Sequence, residues 1–173
     1  LVGSEMCIRD SYQPLNYEMI KEALEERFGG KWQIVIRLHN RLKKESRSWL
    51  NLLPSYVSDA TFYEDMQELL LCTDVGLTDY SSWIFDFVLS GKPGFIIELN
   101  LEDYENARGF YYPIDTTPFP IATSSEELAD NIRKFDAEKY AKDKDVFLAA
   151  RGCMEDGHAS ERIVEKINEL MAK

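Results

Sequence analysis

Apolar residues recur at two different spacings along this chain, and the alternation of the two spacings predicts an α/β fold. Early in the chain they recur every three or four positions, as on one face of a helix, at Met19, Ile20, Ala23, Leu24 and Phe28. The segment Trp32–Leu38 (WQIVIRL) is instead a short β-rich run, which is typical of a strand. Its near-continuous apolar centre indicates a strand covered on both faces, as in a parallel sheet.

The same two patterns predict the other elements. Helices are predicted at Tyr17–Phe28, Phe62–Leu71, Trp83–Leu89, Ala137–Ala149 and Ala159–Met171, and from Ser124 or Ser125 to Phe135. Strands are predicted at Trp32–Leu38, Thr73–Leu77 and Gly94–Leu99, with a further short one at Tyr56-Val57. Asp59 or Thr61 is expected to cap the second helix, and residues 100–122 are expected to form a long loop. Because strands and helices alternate at βαβ spacing, the predicted class is α/β with a mostly parallel sheet.

The first residues are set apart from this fold. Leu1 to Asp10 (LVGSEMCIRD), with Ser11 following, resemble the translation of a transposon-type sequencing adapter. Residues 1–11 are therefore expected not to be native, and residues 12–173 are expected to form one domain that is truncated on its N-terminal side. Three clear strands are few for a doubly wound domain, and a strand before Tyr12 would complete the pattern.

The charge of the chain narrows the choice of partners. Of its 173 residues 45% are hydrophobic, which is enough for a buried core, and 31 acidic residues outnumber 20 basic ones to give a net charge of −11. A charge of this sign disfavours non-specific binding to nucleic acid or to an anionic lipid surface. It still permits a local phosphate site, where a few backbone N–H groups and one cation suffice.

The sequence shows no pattern of a metal, disulfide or membrane-spanning protein. Cys7, Cys72 and Cys153 match neither a metal motif nor a disulfide framework, and they are interpreted as reduced cytosolic thiols. No acidic cluster requires a metal, and we expect no metal or cofactor. No apolar run approaches the roughly 18 residues of a membrane span, and no signal peptide is visible.

The most informative segment is the turn between the second predicted strand and the helix after it. Open parallel sheets bind ligands at the carboxyl ends of their strands, and residues 78–82 (TDYSS) lie at such an end. Ser81 and Ser82 would stand where unpaired N–H groups and the positive end of a helix dipole favour an anion. Asp86 follows one helical turn later, and a carboxylate there suits a ribose diol. The competing interpretation is that Asp79, Ser81 and Ser82 only cap the helix and that Asp86 is solvated.

Two other loops hold candidates at the same predicted edge. His39 follows the end of the first strand, where an imidazole can donate to a phosphate or transfer a proton. Arg108 is followed by Gly109, which would let the backbone approach a ligand. For both side chains the ordinary alternative is a solvated loop residue. His158 precedes the last predicted helix and is interpreted first as part of that helix's start.

Several of these segments together resemble the CDP-glycerol glycerophosphotransferase family. They are IVIRLHN at 34–40, DMQELLLCTDVGLTDYSSWIFDF at 65–87, GKP at 91–93, LEDY at 101–104, RGFYY at 108–112 and DGHASERI at 156–163. The resemblance runs from about Trp32 to Ile167. It implies a Rossmann-like parallel sheet with helices on both faces, which is the C-terminal, CDP-donor-binding half of a two-domain GT-B-type glycosyltransferase-like fold.

The resemblance also implies roles for the candidate residues. His39 is expected to be the catalytic residue of this half, supporting the donor pyrophosphate as CMP leaves. The expected substrate-binding residues are Thr78, Asp79, Ser81, Ser82, Asp86 and Arg108. Among them the two serines would bind phosphate, Asp86 would contact the ribose and Arg108 would lie near the donor phosphates. A second histidine, expected to act as the base, belongs to the family's N-terminal half, so the present chain alone is expected to be inactive.

The reaction implied is transfer of glycerol phosphate from CDP-glycerol to a hydroxyl of a growing teichoic-acid or capsule-type polymer, with release of CMP. CDP-ribitol is an open alternative donor. The resemblance further implies a lipid-linked acceptor and a peripheral protein at the cytoplasmic face of the bacterial plasma membrane, with membrane contact through parts absent from this chain. No nucleic-acid partner is expected.

Two other functions stay open at this point. One is a UDP-sugar-dependent glycosyltransferase on the same fold, which would share the anion site and differ in base recognition. The other is an acidic response-regulator-like domain. Asp74 and Asp79 flank one strand, but the lysine expected after a later strand is absent, which disfavours that second function.

Overall fold

Two small parallel sheets flanked by helices make up the fold. The computed structural model describes residues 15–38, 53–98 and 112–172. Within these ranges the helices are α1 (Tyr17–Phe28), α2 (Met66–Cys72), α3 (Trp83–Phe87), α4 (Ser125–Arg133), α5 (Ala137–Ala150) and α6 (Ala159–Met171). The strands are β1 (Ile34–Ile36), β2 (Val57–Asp59), β3 (Gly76–Thr78), β4 (Gly94–Ile97) and β5 (Ile121–Ala122). Short 3₁₀ turns lie at Val88–Ser90 and Ile114–Thr116.

The described strands all pair in parallel. One sheet has the order β1-β2 and the other has the order β3-β4-β5. Both β3 and β4 are buried along their whole length, as strands covered on two faces are. The predicted α/β class with a parallel sheet is therefore confirmed.

Helix α1 has the bounds that its apolar spacing predicts. The side chain of Asn16 caps it by accepting from the Met19 N–H at 3.1 Å, and Gly29 ends it with a φ of 75°. Its buried face packs on α4, and the Arg27 guanidinium donates to the Phe135 carbonyl at 2.9 and 2.7 Å. These contacts hold the helix over the larger sheet.

Local polar contacts start α4 at the predicted place. Ser124 is the N-cap, and its hydroxyl accepts from the Glu127 N–H at 3.1 Å. The Glu127 carboxylate accepts in turn from the N–H and hydroxyl of Thr123, and these bonds hold the pKa of Glu127 below its usual value. This reciprocal pairing resembles a capping box, and its serine and glutamate are readable in the sequence.

The predicted start of the second helix is wrong. Helix α2 begins at Met66 instead of Phe62, and its cap is Asp65, whose carboxylate accepts from the Glu68 N–H at 3.0 Å. Asp59 instead accepts from the Thr61 N–H at 2.7 Å, and the Thr61 hydroxyl accepts from the Leu38 N–H at 3.1 Å. Asp59 therefore shapes the turn after β2, and Thr61 connects this turn to the residues after β1. Short polar side chains of this kind serve turns as well as helix caps.

Strand β5 lies inside the segment predicted to be a loop. It has two residues, too few to show a periodicity, and its existence depends on pairing with β4. The Ile96 N–H donates to the Pro120 carbonyl at 3.0 Å, and the Glu98 N–H donates to the Ala122 carbonyl at 2.7 Å. The other strands are shorter than predicted or shifted by a residue or more along the chain.

The hydrophobic core is divided in the same way as the sheets. A large cluster surrounds β3, β4 and β5 and includes Ile84, Phe87, Phe95, Leu128 and Ile132, each at most 2% exposed. A separate small cluster surrounds the other sheet and consists of Ile34, Ile36, Leu38 and Val57. No described residue belongs to both clusters.

The last helix, α6, buries none of its residues. Its apolar side chains are between 49% and 80% exposed: Ile163, Val164, Ile167, Leu170 and Met171. Among the described helices, none has the length and apolar character needed to cross a membrane.

Close packing on the large sheet yields a test of its geometry. A Cβ atom added at Gly76 would lie 2.7 Å from ring atoms of Phe87. We expect Gly76→Ala to lower the free energy of unfolding by about 1–3 kcal/mol through overpacking, measured by urea denaturation. The double variant Gly76→Ala/Phe87→Leu should recover part of this loss, since the smaller side chain makes room. Strictly additive losses in the double variant would contradict this packing of glycine against the ring.

Candidate functional site

The candidate residues lie in and after the turn that follows β3. The buried strand ends at Thr78, and α3 begins at Trp83. Between them Ser81 is half-buried and Ser82 is exposed, and Asp86 is exposed one helical turn beyond Ser82. The two serines therefore lie just past the carboxyl end of a parallel strand, and the carboxylate lies in the helix that follows.

The hydroxyl of Ser82 does not cap the helix. Ser82 occupies the N-cap position, but its backbone is already helical (φ −64°, ψ −13°) and its side chain makes no capping bond. Backbone carbonyls close the first turn instead: the Phe85 N–H donates to Ser82 O at 3.0 Å, and the Ile84 N–H donates to Ser81 O at 3.4 Å. The interpretation of Ser82 as a simple cap is therefore wrong, and its exposed hydroxyl is available to a ligand.

Thr78 and Asp79 lie beneath this surface. They are 1% and 2% exposed, respectively. The Asp79 carboxylate accepts from the Tyr80 N–H at 2.7 Å, so this residue shapes the turn. The Thr78 hydroxyl has no hydrogen-bond partner in the part of the chain that the structure describes. A buried hydroxyl without a partner is uncommon in proteins.

Residues 91–93 (GKP), which carry part of the family resemblance, make structural contacts. Gly91 has a φ of 72° and ends the 3₁₀ turn that follows α3. The Lys92 ammonium group donates to the carbonyls of Leu71 and Thr73 at 2.8 and 2.7 Å. It thereby satisfies carbonyls at the C-terminal end of α2 and connects that end to the start of β4.

The DGHASERI segment builds the start of α6. The Asp156 carboxylate accepts two bonds from Arg162, at 2.7 and 2.8 Å, and one from the His158 N–H at 2.9 Å. The Arg162 guanidinium, with the His158 N–H, holds the pKa of Asp156 below its usual value. The His158 ring lies 3.0 Å from the Glu161 carboxylate. These contacts agree with the interpretation of His158 as helix-start chemistry.

Two predicted site residues, His39 and Arg108, lie outside the described residues. His39 directly follows Leu38, which is buried at the end of the smaller sheet. The roles expected for these two residues stay predictions.

Two concavities among the described residues lie elsewhere. One, of about 860 Å³, is an open depression between α1 and α4 with several acidic residues in its lining. The other, of about 680 Å³, lies between the two sheets. Of their described lining residues, none is Ser81, Ser82 or Asp86. The described residues include no cluster of three His, Cys, Asp or Glu side chains that could hold a metal ion.

A parallel α/β domain with a polar turn at a strand end belongs to the broad class of Rossmann-like proteins. Residues 8–169 match the family model described as CDP-Glycerol:Poly(glycerophosphate) glycerophosphotransferase. The match covers most of the chain, and the protein belongs to this family.

The names of similar proteins refer to teichoic acid synthesis. A teichoic acid glycerol-phosphate transferase of Staphylococcus aureus is 30% identical over 165 residues, covering 93% of this chain and 41% of the relative. A teichoic acid poly(ribitol-phosphate) polymerase of Bacillus spizizenii is 35% identical over 146 residues, covering 76% of this chain and 23% of the relative. The chain therefore spans less than half the length of these relatives.

Solved structures support the fold. The wall teichoic acid polymerase TagF matches 97% of this chain with a TM-score of 0.70 and 24% identity, and the match spans 41% of the TagF chain. A variant of TagF soaked with CDPG matches 89% of this chain with a TM-score of 0.61 and 27% identity. The Rossmann-like, GT-B-type architecture expected from the sequence is thereby confirmed.

Two buried threonines allow a matched test of the Thr78 hydroxyl at the end of β3. Thr61 is fully buried and its hydroxyl accepts a bond, whereas the buried Thr78 hydroxyl has no described partner. We expect Thr61→Val to lower the free energy of unfolding by about 1–3 kcal/mol, because the Leu38 N–H loses its acceptor. Thr78→Val should leave stability unchanged or raise it. Equal losses for the two variants in urea denaturation would show that the Thr78 hydroxyl is paired after all.

Proposed function

We propose that the protein transfers glycerol phosphate, or a related polyol phosphate, from a CDP-linked donor to a hydroxyl of a growing teichoic-acid or capsule-type polymer. This domain would hold the donor. Membership of the glycerophosphotransferase family supports this function. The structural observation that carries it is the uncapped hydroxyl of Ser82 at the end of β3, with the exposed Asp86 one turn further along.

The chemistry needs charge stabilisation more than covalent catalysis. The acceptor oxygen attacks the phosphorus that bears the glycerol, and the bond from that phosphorus to the oxygen bridging to CMP breaks. CMP leaves with the bonding electron pair, and the acceptor proton passes to a base. Negative charge grows on the phosphate oxygens, so hydroxyl and N–H donors fixed near them lower the barrier. In this proposal Ser81 and Ser82 supply such donors, and Asp86 accepts from the ribose hydroxyls.

The identity of the polyol stays open between glycerol and ribitol. Relatives with glycerol-phosphate names and with ribitol-phosphate names match this chain at similar identity. The names of these relatives and of TagF all refer to teichoic acid, which does not favour the alternative of a UDP-sugar transferase. His39 and Arg108 are proposed to contact the donor phosphates, on the basis of the resemblance alone.

The acceptor and the location are also part of the proposal. We place the reaction at the cytoplasmic face of the bacterial plasma membrane, on a lipid-linked acceptor, with attachment through other parts of the protein. The net charge of −11 supports this division of roles, because an acidic domain is repelled by anionic lipid headgroups.

The donor site can be tested with a pair of exposed aspartates near the two ends of β3. In the full-length protein we expect Asp86→Asn to weaken CDP binding about tenfold, or about 1.4 kcal/mol, by removing the acceptor for the ribose hydroxyls. Isothermal titration calorimetry measures this directly. The control is Asp74→Asn, which changes an exposed carboxylate just before the opposite end of β3 and should bind CDP normally.

Two results would contradict the proposal. One is unchanged CDP affinity in Asp86→Asn. The other is an unmodified full-length protein that binds UDP as tightly as CDP, which would favour the sugar-transferase alternative.

A further inference from the structure

Two aromatic rings lie against the side chain of Arg151, the residue that directly follows α5. Its guanidinium carbon lies 3.7 Å from the centroid of the Phe147 ring and 4.4 Å from the centroid of the Tyr112 ring. A planar guanidinium stacks on aromatic rings in this way, whereas the ammonium group of a lysine is compact and not planar. The two rings therefore restrict the orientation of the guanidinium plane.

Hydrogen bonds hold the same guanidinium from two further directions. One terminal nitrogen donates to the Phe147 carbonyl at 3.2 Å, and the other donates to the Thr116 hydroxyl at 3.2 Å. The Thr116 hydroxyl donates in turn to the Pro113 carbonyl at 2.7 Å and so closes the second 3₁₀ turn. Arg151 thus connects the end of α5 to this turn and to Tyr112, which lies just before it.

Phe147 connects this arrangement to the candidate site. Its ring stacks on the ring of Phe85, with the centroids 5.9 Å apart and an angle of 9° between the planes. Phe85 belongs to α3 and directly precedes Asp86 in the chain. Phe147 is 6% exposed and Phe85 is 39% exposed, so the stack leads from the interior to the outer side of α3. The placement of Phe85 therefore depends on a ring that Arg151 holds.

Helix α3 needs such contacts to keep its position. It has five residues, and a helix of this length is not stable through its own hydrogen bonds. Three of its residues are buried in the core: Trp83, Ile84 and Phe87. Phe85 is instead held by the rings of Phe147 and Phe119, with centroid distances of 5.9 and 6.1 Å. A displacement of Phe85 would therefore move the outer side of the helix, which includes Asp86.

We propose that Arg151 is a positioning residue of the donor site, which sets the placement of Asp86 through the two stacked phenylalanine rings. It also holds Tyr112, which ends the segment 108–112 of the family resemblance. The inference rests on the proposed function, since it concerns the carboxylate proposed to accept from the ribose. In this role the planar shape of the guanidinium matters more than its charge, because Arg151 acts on the donor through other residues.

A double-mutant cycle in the full-length protein tests the route through Asp86. We expect Arg151→Gln to weaken CDP binding about fivefold in calorimetry, and to cause less than about a twofold further loss in the Asp86→Asn variant. The control is Arg133→Gln, which removes the same charge from an arginine that pairs with Glu26 of α1 and should bind CDP normally. Equal fold losses for Arg151→Gln with and without the Asp86 carboxylate would overturn the proposal, because the two residues would then act independently.

The variant Arg151→Lys separates the shape of the side chain from its charge. Lysine keeps the positive charge and loses the plane that stacks on the rings. We expect this variant to bind CDP as weakly as Arg151→Gln does. Normal CDP affinity in Arg151→Lys would overturn the proposal, because the charge would then act on the donor phosphates directly.

A measurement without ligand keeps this inference separate from the proposed function. We expect the NMR resonance of the Asp86 amide to shift in Arg151→Gln, because the neighbouring aromatic rings move, and to stay in place in Arg133→Gln. An unmoved resonance overturns the inference. A shifted resonance together with normal CDP binding by Asp86→Asn supports the link from Arg151 to α3 and rejects the donor site instead. If Arg151→Gln does not fold, Tyr112→Leu removes one stacking ring at an exposed position and gives the same comparison.

Discussion

Backbone hydrogen bonding along parallel strands is the constraint on which this structure depends. A buried strand needs partners on both edges, and among the described strands of the larger sheet only β4 has them, from β3 on one side and β5 on the other. Burial of β4 is correspondingly complete, and the aromatic rings of Phe119 and Phe135 pack against it. Small residues make this close packing possible, because a side chain at Gly76 or Gly94 would collide with Phe87 or Phe119. The contact between Gly76 and Phe87 holds α3 against β3, and the turn with the serines joins these two elements.

The candidate site lies in the turn at the end of β3. This turn is held by its own bonds, since the Asp79 carboxylate accepts from the Tyr80 N–H and backbone carbonyls close the first turn of α3. The Ser82 side chain therefore makes no capping bond to the helix that it precedes. Lys92 holds the opposite end of the βαβ unit in place through the carbonyls at the end of α2. A site that binds phosphate with few charges profits from such fixed donors, since they need no rearrangement when negative charge develops.

The sequence predicted those elements and site residues whose pattern lies in neighbouring positions of the chain. The bounds of α1 and α6 follow from apolar spacing, and the start of α4 follows from a serine with a glutamate three residues on. The strand-turn-helix order around Ser81 and Ser82 is equally local, so the position of those residues was predictable. Strand β5 was not, because two residues carry no period. The cap of α2 was also missed, because the predicted caps Asp59 and Thr61 bond in the turn after β2 and Asp65 caps the helix instead. The Thr78 hydroxyl lacks a partner among the described residues, and this depends on its surroundings in space, which no sequence pattern contains.

The position of the candidate site follows from the architecture of an open parallel sheet. In such a sheet ligands bind outside the carboxyl ends of the strands. The turn with Ser81 and Ser82 lies at the carboxyl end of β3, which is an outer strand of the larger sheet in the described part of the chain. The serines accordingly stand at an edge of that sheet, and neither they nor Asp86 line the two concavities of about 860 and 680 Å³. A donor held at this turn would therefore need contacts from further residues, and His39 and Arg108 are the side chains proposed to supply them.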